Sequence, residues 1–333
     1  MTLRDVAQAA DVSLGTASKV MAGRGGVSAR RAESVHAAAR ALGYRHNGIA
    51  ADLRRNRSNS IGLVIPDLRN SFFVDLIHAL ETFASADGYF LVLGHANENP
   101  ATEMERIRFV LSRRVAGMIL LPCQGHDHAL AELRQCHVPV VMADRVNDSM
   151  PANTVATDSV HAAYTGTQHL LSLGHRRIAF AANTLDLTNT RDRVTGYSRA
   201  MEEAGAAPQL ILCGTENDRA HPAMLEALLR PERPSALFTS GTPMTLAALS
   251  AIADADLHLP SEVSLLSFDD APWMSVLSPH ISAIRQPVEA ISRAIWQLML
   301  AELKGGSAAA PSHLSFKAEL RPRQTTVAWP HRG

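Results

Sequence analysis

The chain has 333 residues with 32 basic and 32 acidic side chains, and this length favours more than one domain because single cores rarely exceed about 250–300 residues. Its apolar runs, such as Met118–Leu121, are too short to cross a bilayer, and Met1–Asp5 precede no apolar signal segment, so we expect a cytoplasmic protein. No disulfide framework is expected from three cysteines without a recognisable spacing: Cys123, Cys136 and Cys213.

Charge is distributed unevenly along the chain. Residues 1–60 contain ten basic and four acidic side chains, so the remaining residues carry the compensating negative charge. A small basic segment attached to an acidic body is typical of a protein whose N-terminal part meets a polyanion. A solvated basic face without a partner has the same composition, so charge alone leaves both interpretations open.

The first residues predict a short helix with a defined start. Thr2 and Asp5 have the spacing of a capping box, in which the hydroxyl and the carboxylate each accept a bond from a backbone N–H. The helix should end near Ala10, because Asp11 tolerates the left-handed backbone of a tight turn. One apolar face is expected, formed by Leu3, Val6, Ala7 and Ala10.

Two more helices are predicted before residue 45. Ser13 can cap the second helix, Leu14–Met21, and Ser28 can cap the third helix, which Gly43 ends. Their inward-facing residues are Ala17, Val20 and Met21, followed by Val35, Ala38, Ala39 and Leu42. Two short helices joined by a three-residue turn, with a third helix covering their apolar faces, are typical of a helix-turn-helix DNA-binding domain.

In that domain the second helix places its N-terminal residues in the major groove. The candidates are Leu14, Gly15, Thr16, Ser18 and Lys19. Lys19 can donate to guanine acceptors, and Leu14 can pack on a thymine methyl group. Gly15 costs the helix about 1 kcal/mol relative to alanine. This glycine is therefore explained if the backbone approaches DNA closely there, or if an alanine would clash.

Several short motifs follow one another within residues 2–53. They are T-x-x-D-V-A, A-x-V-S-x-x-T-x-S-x-V, V-S, L-G-Y and N-x-x-A-x-x-L. This combination resembles the N-terminal domain of the lactose/galactose-repressor (LacI/GalR-type) regulators. The resemblance implies that Leu14, Gly15 and Lys19 read bases. It also implies contacts with the DNA backbone from Thr2, Ser13, Thr16, Ser18, Ser28, Arg31, Tyr44 and Asn47.

Residues Asn47–Leu53 resemble the hinge helix of that family. So short a helix is unstable alone in water, so we expect it to form only when paired with its twin on DNA. The resemblance implies that Leu53 enters the minor groove and that Ala50 allows close approach. An apolar anchor onto the body is the alternative for Leu53. Gly48 and Asp52 depart from more helix-favouring or basic choices, which predicts a hinge that orders with more difficulty.

From residue 61 onward, apolar runs suited to buried parallel strands alternate with helical stretches. Strands are predicted at Ile61–Pro66, Phe90–Gly94, Met118–Pro122, Pro139–Ala143, Arg177–Ala182, Gln209–Cys213, Ala236–Ser240 and Val263–Ser267. Helices are predicted at Phe72–Asp87, Thr102–Arg113, Ala129–Cys136, His161–Leu173 and Val288–Leu303. The fold class is therefore α/β: an N-terminal all-α helix-turn-helix domain, then two doubly wound α/β halves.

Phrases in the body extend the resemblance over essentially the whole chain. They are SIGLVIPDLRNSFF, GHRRIAF, R-x-x-G-Y, LPSEVSLLSFDD and I-x-Q-P, and they resemble the periplasmic-binding-protein-like core of LacI-type regulators. Ser282–Pro287 is predicted to cross back towards the first half. The predicted domains are a helix-turn-helix domain (1–46), a hinge and linker (47–60), a core N-subdomain (61–158 with 287–316) and a core C-subdomain (159–286 with 317–333).

Small ligands of such cores bind between the two halves, at the carboxyl ends of the strands. Six residues are predicted to bind the effector there: Phe72, Phe73, Asp144, Asn189, Arg193 and Asp269. A guanidinium opposite a carboxylate, as expected for Arg193 and Asp269, suits a ligand rich in hydroxyl groups. Asp144 and Asn189 are equally explained by a helix cap or a loop hydrogen bond. One of the two phenylalanines is expected to belong to the core.

Other features of the sequence limit the prediction. Gly241-Thr242 stands where many relatives have Asn-Asp, and Leu187 stands where some have arginine, so no relative's effector can be copied onto this cleft. The sequence contains no Walker A, GxGxxG, HExxH or GxSxG motif, and we expect neither an enzyme nor a cofactor. His126-Asp127-His128 lacks evident third and fourth ligands, so no metal is expected.

Three functional classes fit parts of this sequence. A periplasmic solute receptor explains the core alone, and an α/β enzyme would need convergent catalytic groups that the sequence lacks. An effector-controlled repressor explains both parts. We therefore expect a homodimer that binds palindromic operator DNA and a sugar, a sugar acid or a similar effector, with a purine less favoured. Activation instead of repression, and release or recruitment of DNA by the ligand, stay open.

Overall fold

The computed structural model forms two compact units, residues 1–58 and residues 59–333. It describes residues 1–21, 25–44, 58–123, 127–136, 138–145, 152–214, 219–305 and 310–329. The predicted hinge residues Asn47, Ala50 and Leu53 lie outside these ranges. In the part of the chain that the structure describes, no helix is both long enough and apolar enough to cross a membrane.

The described part of the first unit forms three helices, α1 (Leu3–Ala9), α2 (Leu14–Met21) and α3 (Ala29–Ala41). They enclose a small core of Leu3, Val6, Ala7, Ala10, Ala17, Val20, Val35 and Ala39. Met21, Ala38 and Leu42 are half-buried and pack against this core. The predicted helices and their inward faces are confirmed, and the three-helix arrangement is that of a helix-turn-helix domain.

The predicted signals at the ends of these helices are confirmed except one. The Thr2 backbone N–H donates to Asp5 Oδ2 at 2.7 Å, and the Asp5 N–H donates to Thr2 Oγ1 at 3.3 Å. Asp11 has a φ of +49°, and Ser13 Oγ accepts from the Thr16 N–H at 3.1 Å. The cap predicted at Ser28 was wrong in its chemistry. Ser28 occupies the N-cap position, but its side chain makes no capping hydrogen bond. Only its backbone carbonyl takes part in the helix, by accepting from the Ala32 N–H at 3.0 Å.

The second unit is built on two six-stranded sheets. The strands are β1 (Ser60–Ile65), β2 (Phe90–His95), β3 (Gly117–Leu120), β4 (Val140–Ala143), β5 (Asn153–Thr157), β6 (Ile178–Ala182), β7 (Gln209–Leu212), β8 (Ala236–Thr239), β9 (Ser264–Phe268), β10 (Ser282–Arg285), β11 (His313–Phe316) and β12 (Glu319–Arg321). The first sheet has the order β11-β5-β4-β3-β1-β2, and the second has the order β12-β10-β9-β8-β6-β7. Each sheet therefore repeats the same order over five consecutive parallel strands, and among the described strands only β12 is antiparallel to its neighbour.

Helices cover both faces of each sheet, as the predicted α/β class requires. They are α4 (Ser71–Ala86), α5 (Pro100–Ser112), α6 (Asp127–Gln135), α7 (Ser159–Ser172), α8 (Thr188–Glu203), α9 (Ala220–Leu228), α10 (Thr242–Asp254) and α11 (Val288–Leu303). In the first half α4 and α11 pack on one face, and α5 and α6 pack on the other. In the second half α9 and α10 lie opposite α7 and α8.

The strands and helices predicted in the body are confirmed within a few residues, and three strands were missed. These are β5, β11 and β12, which are short and carry polar or exposed residues that weaken the pattern of a buried strand. The predicted crossing at Ser282–Pro287 is corrected in part. Its first four residues pair with β9 as strand β10, so the chain leaves the second sheet only after Arg285.

Candidate functional site

A cavity lies between the two sheets of the second unit, at the carboxyl ends of their strands. Its volume is about 70 Å³. The lining includes all six predicted cleft residues, Phe72, Phe73, Asp144, Asn189, Arg193 and Asp269. The structure therefore brings these six side chains together, and their contact with a ligand stays a prediction.

Two aspartates hold equivalent positions in the two halves. Asp144 directly follows β4, and Asp269 directly follows β9, which occupy the same place in their sheets. Both have left-handed backbones, with φ of +64° and +70°. Asp tolerates this region better than most residues, and such conformations concentrate at functional sites. The repeated strand order therefore presents two carboxylates to one cavity.

Asp269 is buried and held by a side chain from the crossing segment. Gln286 Nε2 donates to Asp269 Oδ1 at 2.6 Å, and Thr157 Oγ1 of the first half donates to Gln286 Oε1. Burial raises the pKa of the Asp269 carboxyl group, while the charge of Arg193 and the bond from Gln286 oppose this shift. This network fixes one Asp269 oxygen and links the two halves.

Arg193 is the buried cation of the second half. Its Nη1 donates to the Ser240 carbonyl at 2.6 Å, and its guanidinium lies 3.7 Å from the centroid of the Phe268 ring. Burial lowers the pKa of Arg193, and the carboxylates of Asp269 and Asp144 oppose this shift. Its Nε has no hydrogen-bond partner. The side chain is held in place, yet its Nε–H stays unpaired among the described residues and can donate to a further acceptor.

Asn189, on the same helix as Arg193, connects the two halves. It lies in the first turn of α8, and its Nδ2 donates to Asp144 Oδ2 at 2.9 Å. The Asn189 Oδ1 is buried without a partner. The helix-cap alternative for Asn189 was wrong, because the N-cap of α8 is Leu187. Buried polar atoms are normally hydrogen-bonded, so these unpaired atoms favour a polar ligand at this wall.

The two phenylalanines belong to the core and also line the cavity. Asn70 caps α4 by accepting from the Phe72 N–H at 3.0 Å, which sets the direction of the helix start. The rings of Phe72 and Phe73 lie 5.3 Å apart at 64°, and both side chains are buried. The expectation that only one of them is a core residue was wrong, because the first turn of α4 lies at the boundary between core and cavity.

Sequence reasoning missed a charged pair at the cavity wall. Arg145 directly follows Asp144, and its Nη1 and Nη2 donate to Glu98 at 2.8 and 2.6 Å. Gln286 was also missed, although it is the glutamine of the I-x-Q-P motif. The position of Arg145, just after the end of strand β4, could have predicted it as a residue of the cavity. Its partner Glu98 could not be predicted, because the loop after β2 meets it only in the fold.

The first unit exposes the residues predicted to read DNA bases. Leu14 is 43% exposed, and Gly15 and Lys19 are also exposed. A Cβ atom added at Gly15 would meet only Ser13 Oγ, at 3.8 Å. Alanine therefore fits within this domain, which excludes the clash explanation for Gly15.

The residues predicted to contact the DNA backbone lie mostly at the surface of the same unit. Thr2, Ser13, Ser28 and Arg31 are exposed, while Thr16, Ser18 and Tyr44 are half-buried. The structure does not describe Asn47, and it does not describe the side chains of His126–His128. Among the side chains that are described, no group of three histidine, cysteine or acidic residues is placed to hold a metal ion.

Two family profiles match the chain. "Bacterial regulatory proteins, lacI family" matches residues 2–47, and "Periplasmic binding protein-like domain" matches residues 167–326. The repressor CytR of Escherichia coli (strain K12) is 29% identical over 99% of this chain and 97% of its own length.

Solved structures of similar fold match this chain over nearly its full length. The Lac repressor dimer bound to operator and the anti-inducer ONPF has a TM-score of 0.84 and 25% identity, covering 98% of this chain and 99% of that one. A complex of the transcriptional regulator CelR with cellobiose has a TM-score of 0.72 and 26% identity over the same shares. The chain therefore combines a lacI-family helix-turn-helix domain with a periplasmic-binding-protein-like domain, as in the LacI/GalR-type repressors that it resembles, and it is a DNA-binding transcription regulator.

Proposed function

We propose that this protein is a cytoplasmic repressor that binds a palindromic operator as a homodimer and is controlled by a sugar or sugar derivative. The function is regulatory and not enzymatic. The observation that carries the proposal is the cavity between the two sheets, where buried carboxylates and a buried guanidinium from both halves converge. A ligand bound there contacts both halves, so it can favour one arrangement of the halves over another.

The lining of the cavity favours a neutral, hydroxyl-rich effector. Two of its arginines are already matched by acids, Arg69 by Asp67 at 3.0 Å and Arg145 by Glu98 at 2.6 Å. Asp144 lies 3.8 Å from Arg145 Nε, and both Asp144 and Asp269 act on the charge of Arg193, so no surplus of positive charge is available for a phosphate. Carboxylate, amide and guanidinium groups beside aromatic rings suit a sugar. The cellobiose complex of CelR shows a sugar bound to a protein of similar fold.

The cavity is smaller than the roughly 300 Å³ typical of ligand sites, so we infer that the halves separate when the effector enters. We propose subdomains 61–158 with 287–316 and 159–286 with 317–333 as the moving bodies. Three short connections join them, after β5, β10 and β11. Motion about these connections would change the position of the N-terminal end of the core, where the hinge and linker (47–60) end.

A homodimer is proposed because operators are palindromic and one helix-turn-helix domain reads one half-site. The sheets support this assembly. Strands β2 and β7 form corresponding edges of the two sheets, and Phe90 and Leu212 on them are 63% and 51% exposed. Exposed apolar edges are normally covered. Sedimentation should give twice the chain mass of 35.9 kDa at the concentrations that bind DNA, and a single-chain mass would contradict the assembly.

On DNA, we propose that Leu14, Gly15 and Lys19 read base edges, and that the surrounding hydroxyl and basic side chains hold the phosphates. The Gly15→Ala substitution tests whether the backbone approaches DNA closely at this position. It should stabilise the first unit by up to about 1 kcal/mol, because alanine fits and favours the helix. It should nevertheless weaken operator binding about tenfold or more, because the added methyl group prevents close approach of the backbone.

The comparison needs two measurements on the same protein, thermal unfolding and fluorescence anisotropy with a palindrome selected from random DNA. Gly25→Ala is the control, because a Cβ atom there meets nothing within 4 Å. Equal operator affinity for Gly15→Ala and wild type would show that the backbone at this position does not approach DNA.

A thermal-shift screen tests the effector proposal. The full chain is heated with neutral sugars, sugar acids, sugar phosphates, nucleosides and purine bases. A ligand at a concentration of 100 times its Kd stabilises the folded state by about 2.7 kcal/mol, so a neutral sugar should raise the melting temperature. A response only to phosphates or purines would contradict the proposed effector class. No response from any compound, with operator binding intact, would contradict a small-molecule effector.

A further inference from the structure

A buried acid lies behind the wall of the cavity. Glu103, on α5, has 0% exposure and is not among the residues that line the cavity. Its Oε1 accepts from the Cys123 backbone N–H at 2.6 Å, while its Oε2 has no hydrogen-bond partner among the residues that the structure describes. A buried carboxyl group with an unpaired oxygen is costly for a fold, so this residue calls for an explanation beyond packing.

The same peptide group connects Glu103 with the cavity. Arg145 Nη1 donates to the Pro122 carbonyl at 3.0 Å, and that carbonyl shares its peptide plane with the Cys123 N–H. Glu103 and Arg145 therefore bind the two ends of one peptide. Hydrogen bonds in such chains polarise one another, so a negative charge on Glu103 makes the Pro122 carbonyl a stronger acceptor for Arg145.

The surroundings of Glu103 make its charge sensitive to pH. Burial raises the pKa of Glu103 to about 7, although the hydrogen bond from Cys123 and the charge of Arg145 oppose the shift. The charged or titratable groups that act on it come from the ends of three strands. They are Glu98 after β2, the Cys123 thiol after β3 and Arg145 after β4. Its proton is therefore gained or lost close to neutral pH.

We propose that Glu103 is a positioning residue for the effector cleft, which acts through the 122–123 peptide to set how firmly Arg145 is held at the cavity wall. When Glu103 is charged, the polarised carbonyl and Glu98 hold the guanidinium together. When Glu103 is protonated, the carbonyl is a weaker acceptor, and Arg145 is held mainly by Glu98 and by Asp144, whose Oδ2 lies 3.8 Å from its Nε. The consequence for effector binding rests on the proposed function, whereas the coupling of the two side chains does not.

The test therefore uses the full-length protein without any sugar. As the pH is raised through neutrality, the infrared carbonyl band of the protonated Glu103 carboxyl group should disappear in the wild type. This band should be absent in Glu103→Gln at every pH. The ¹⁵N signal of Arg145 Nε, assigned by its loss in Arg145→Lys, should shift with the same midpoint in the wild type. It should not shift in Glu103→Gln. Glu105→Gln, at an exposed position on the same helix, is the matched control and should behave as the wild type.

Two results would overturn the proposal. One is an Arg145 signal that stays constant while the Glu103 band titrates. The other is an Arg145 shift that persists in Glu103→Gln. If that variant fails to fold, coincidence of the two midpoints in the wild type still decides. The titration uses no sugar, so a negative result contradicts only the coupling of Glu103 and Arg145. A failure of the effector proposal would be seen separately, in the thermal-shift screen.

Stability gives a further expected outcome of the same substitution. Because the folded pKa of Glu103 lies above the model-compound value of 4.5, the folded state retains a proton that the unfolded chain releases. The contribution of this group to stability is therefore full below pH 4.5 and is lost as the pH rises to about 7. The folding equilibrium constant of wild type relative to Glu103→Gln should fall on the order of 100-fold over this range. A ratio independent of pH would show that Glu103 does not titrate there.

Discussion

Replacement of Gly196 by alanine is expected to destabilise the effector domain by about 3 kcal/mol. A Cβ atom at this position would lie 2.0 Å from the Val160 carbonyl oxygen and 2.9 Å from the Tyr164 backbone nitrogen. Both contacts are with the backbone of α7, so no side-chain rotation can relieve them. Helices α7 and α8 would have to move apart, which would loosen the core between them.

Urea unfolding followed by circular dichroism measures this effect. Thr195→Ala is the control, because Thr195 is exposed on the same helix and its hydroxyl bonds only the Arg191 carbonyl. That substitution should change stability by no more than about 0.5 kcal/mol. If Gly196→Ala unfolded at the same urea concentration as the control, the close crossing of α7 and α8 would be contradicted.

The second large effect concerns Arg193. Arg193→Ala should weaken binding of the sugar identified by thermal shift roughly 10- to 150-fold, the loss of a charged hydrogen bond worth about 1.5–3 kcal/mol. The truncation also removes the positive charge that faces buried Asp269, whereas Asp144 keeps Arg145 Nε at 3.8 Å, so the unliganded protein should be less stable as well. Binding is measured by isothermal titration calorimetry at a temperature at which the variant is folded.

Arg199→Ala provides the matched control for this experiment. Arg199 is on the same helix, its side chain is about half exposed, and its guanidinium lies over the Tyr164 ring away from the cavity. The control should keep wild-type sugar affinity and lose at most about 1 kcal/mol of stability. Sugar affinity unchanged in Arg193→Ala would show that the ligand binds elsewhere.

The motif R-x-x-G-Y shows how much of the account was accessible from sequence. The resemblance predicted Arg193 as a cleft residue, and the structure brings it to the cavity. Why the motif has glycine at Gly196 and tyrosine at Tyr197 became clear only from the fold. Gly196 lies where two helices cross, and the Tyr197 hydroxyl donates to the Ile178 carbonyl of β6 at 2.6 Å. Sequence periodicity indicates an inward-facing residue, but it does not indicate which backbone lies opposite.

Local signals predicted local structure well. The Thr2–Asp5 capping box, the left-handed Asp11 and the buried strands of both sheets depend on neighbouring residues, so they could be read from the chain. Contacts between distant segments could not. The Arg145–Glu98 pair and the Gln286–Asp269 bond depend on which loops meet at the ends of the strands. For the same reason Glu103 gave no signal in the sequence.

The central claim is that occupancy of the cavity controls DNA binding. The most direct measurement is the operator affinity of the full-length protein with and without the sugar found by thermal shift. Fluorescence anisotropy with a palindrome selected from random DNA gives both values. We expect the two affinities to differ about 5- to 150-fold, the range of typical coupling between sites, and the difference to disappear in Arg193→Ala. Equal operator affinities at saturating sugar would contradict the claim.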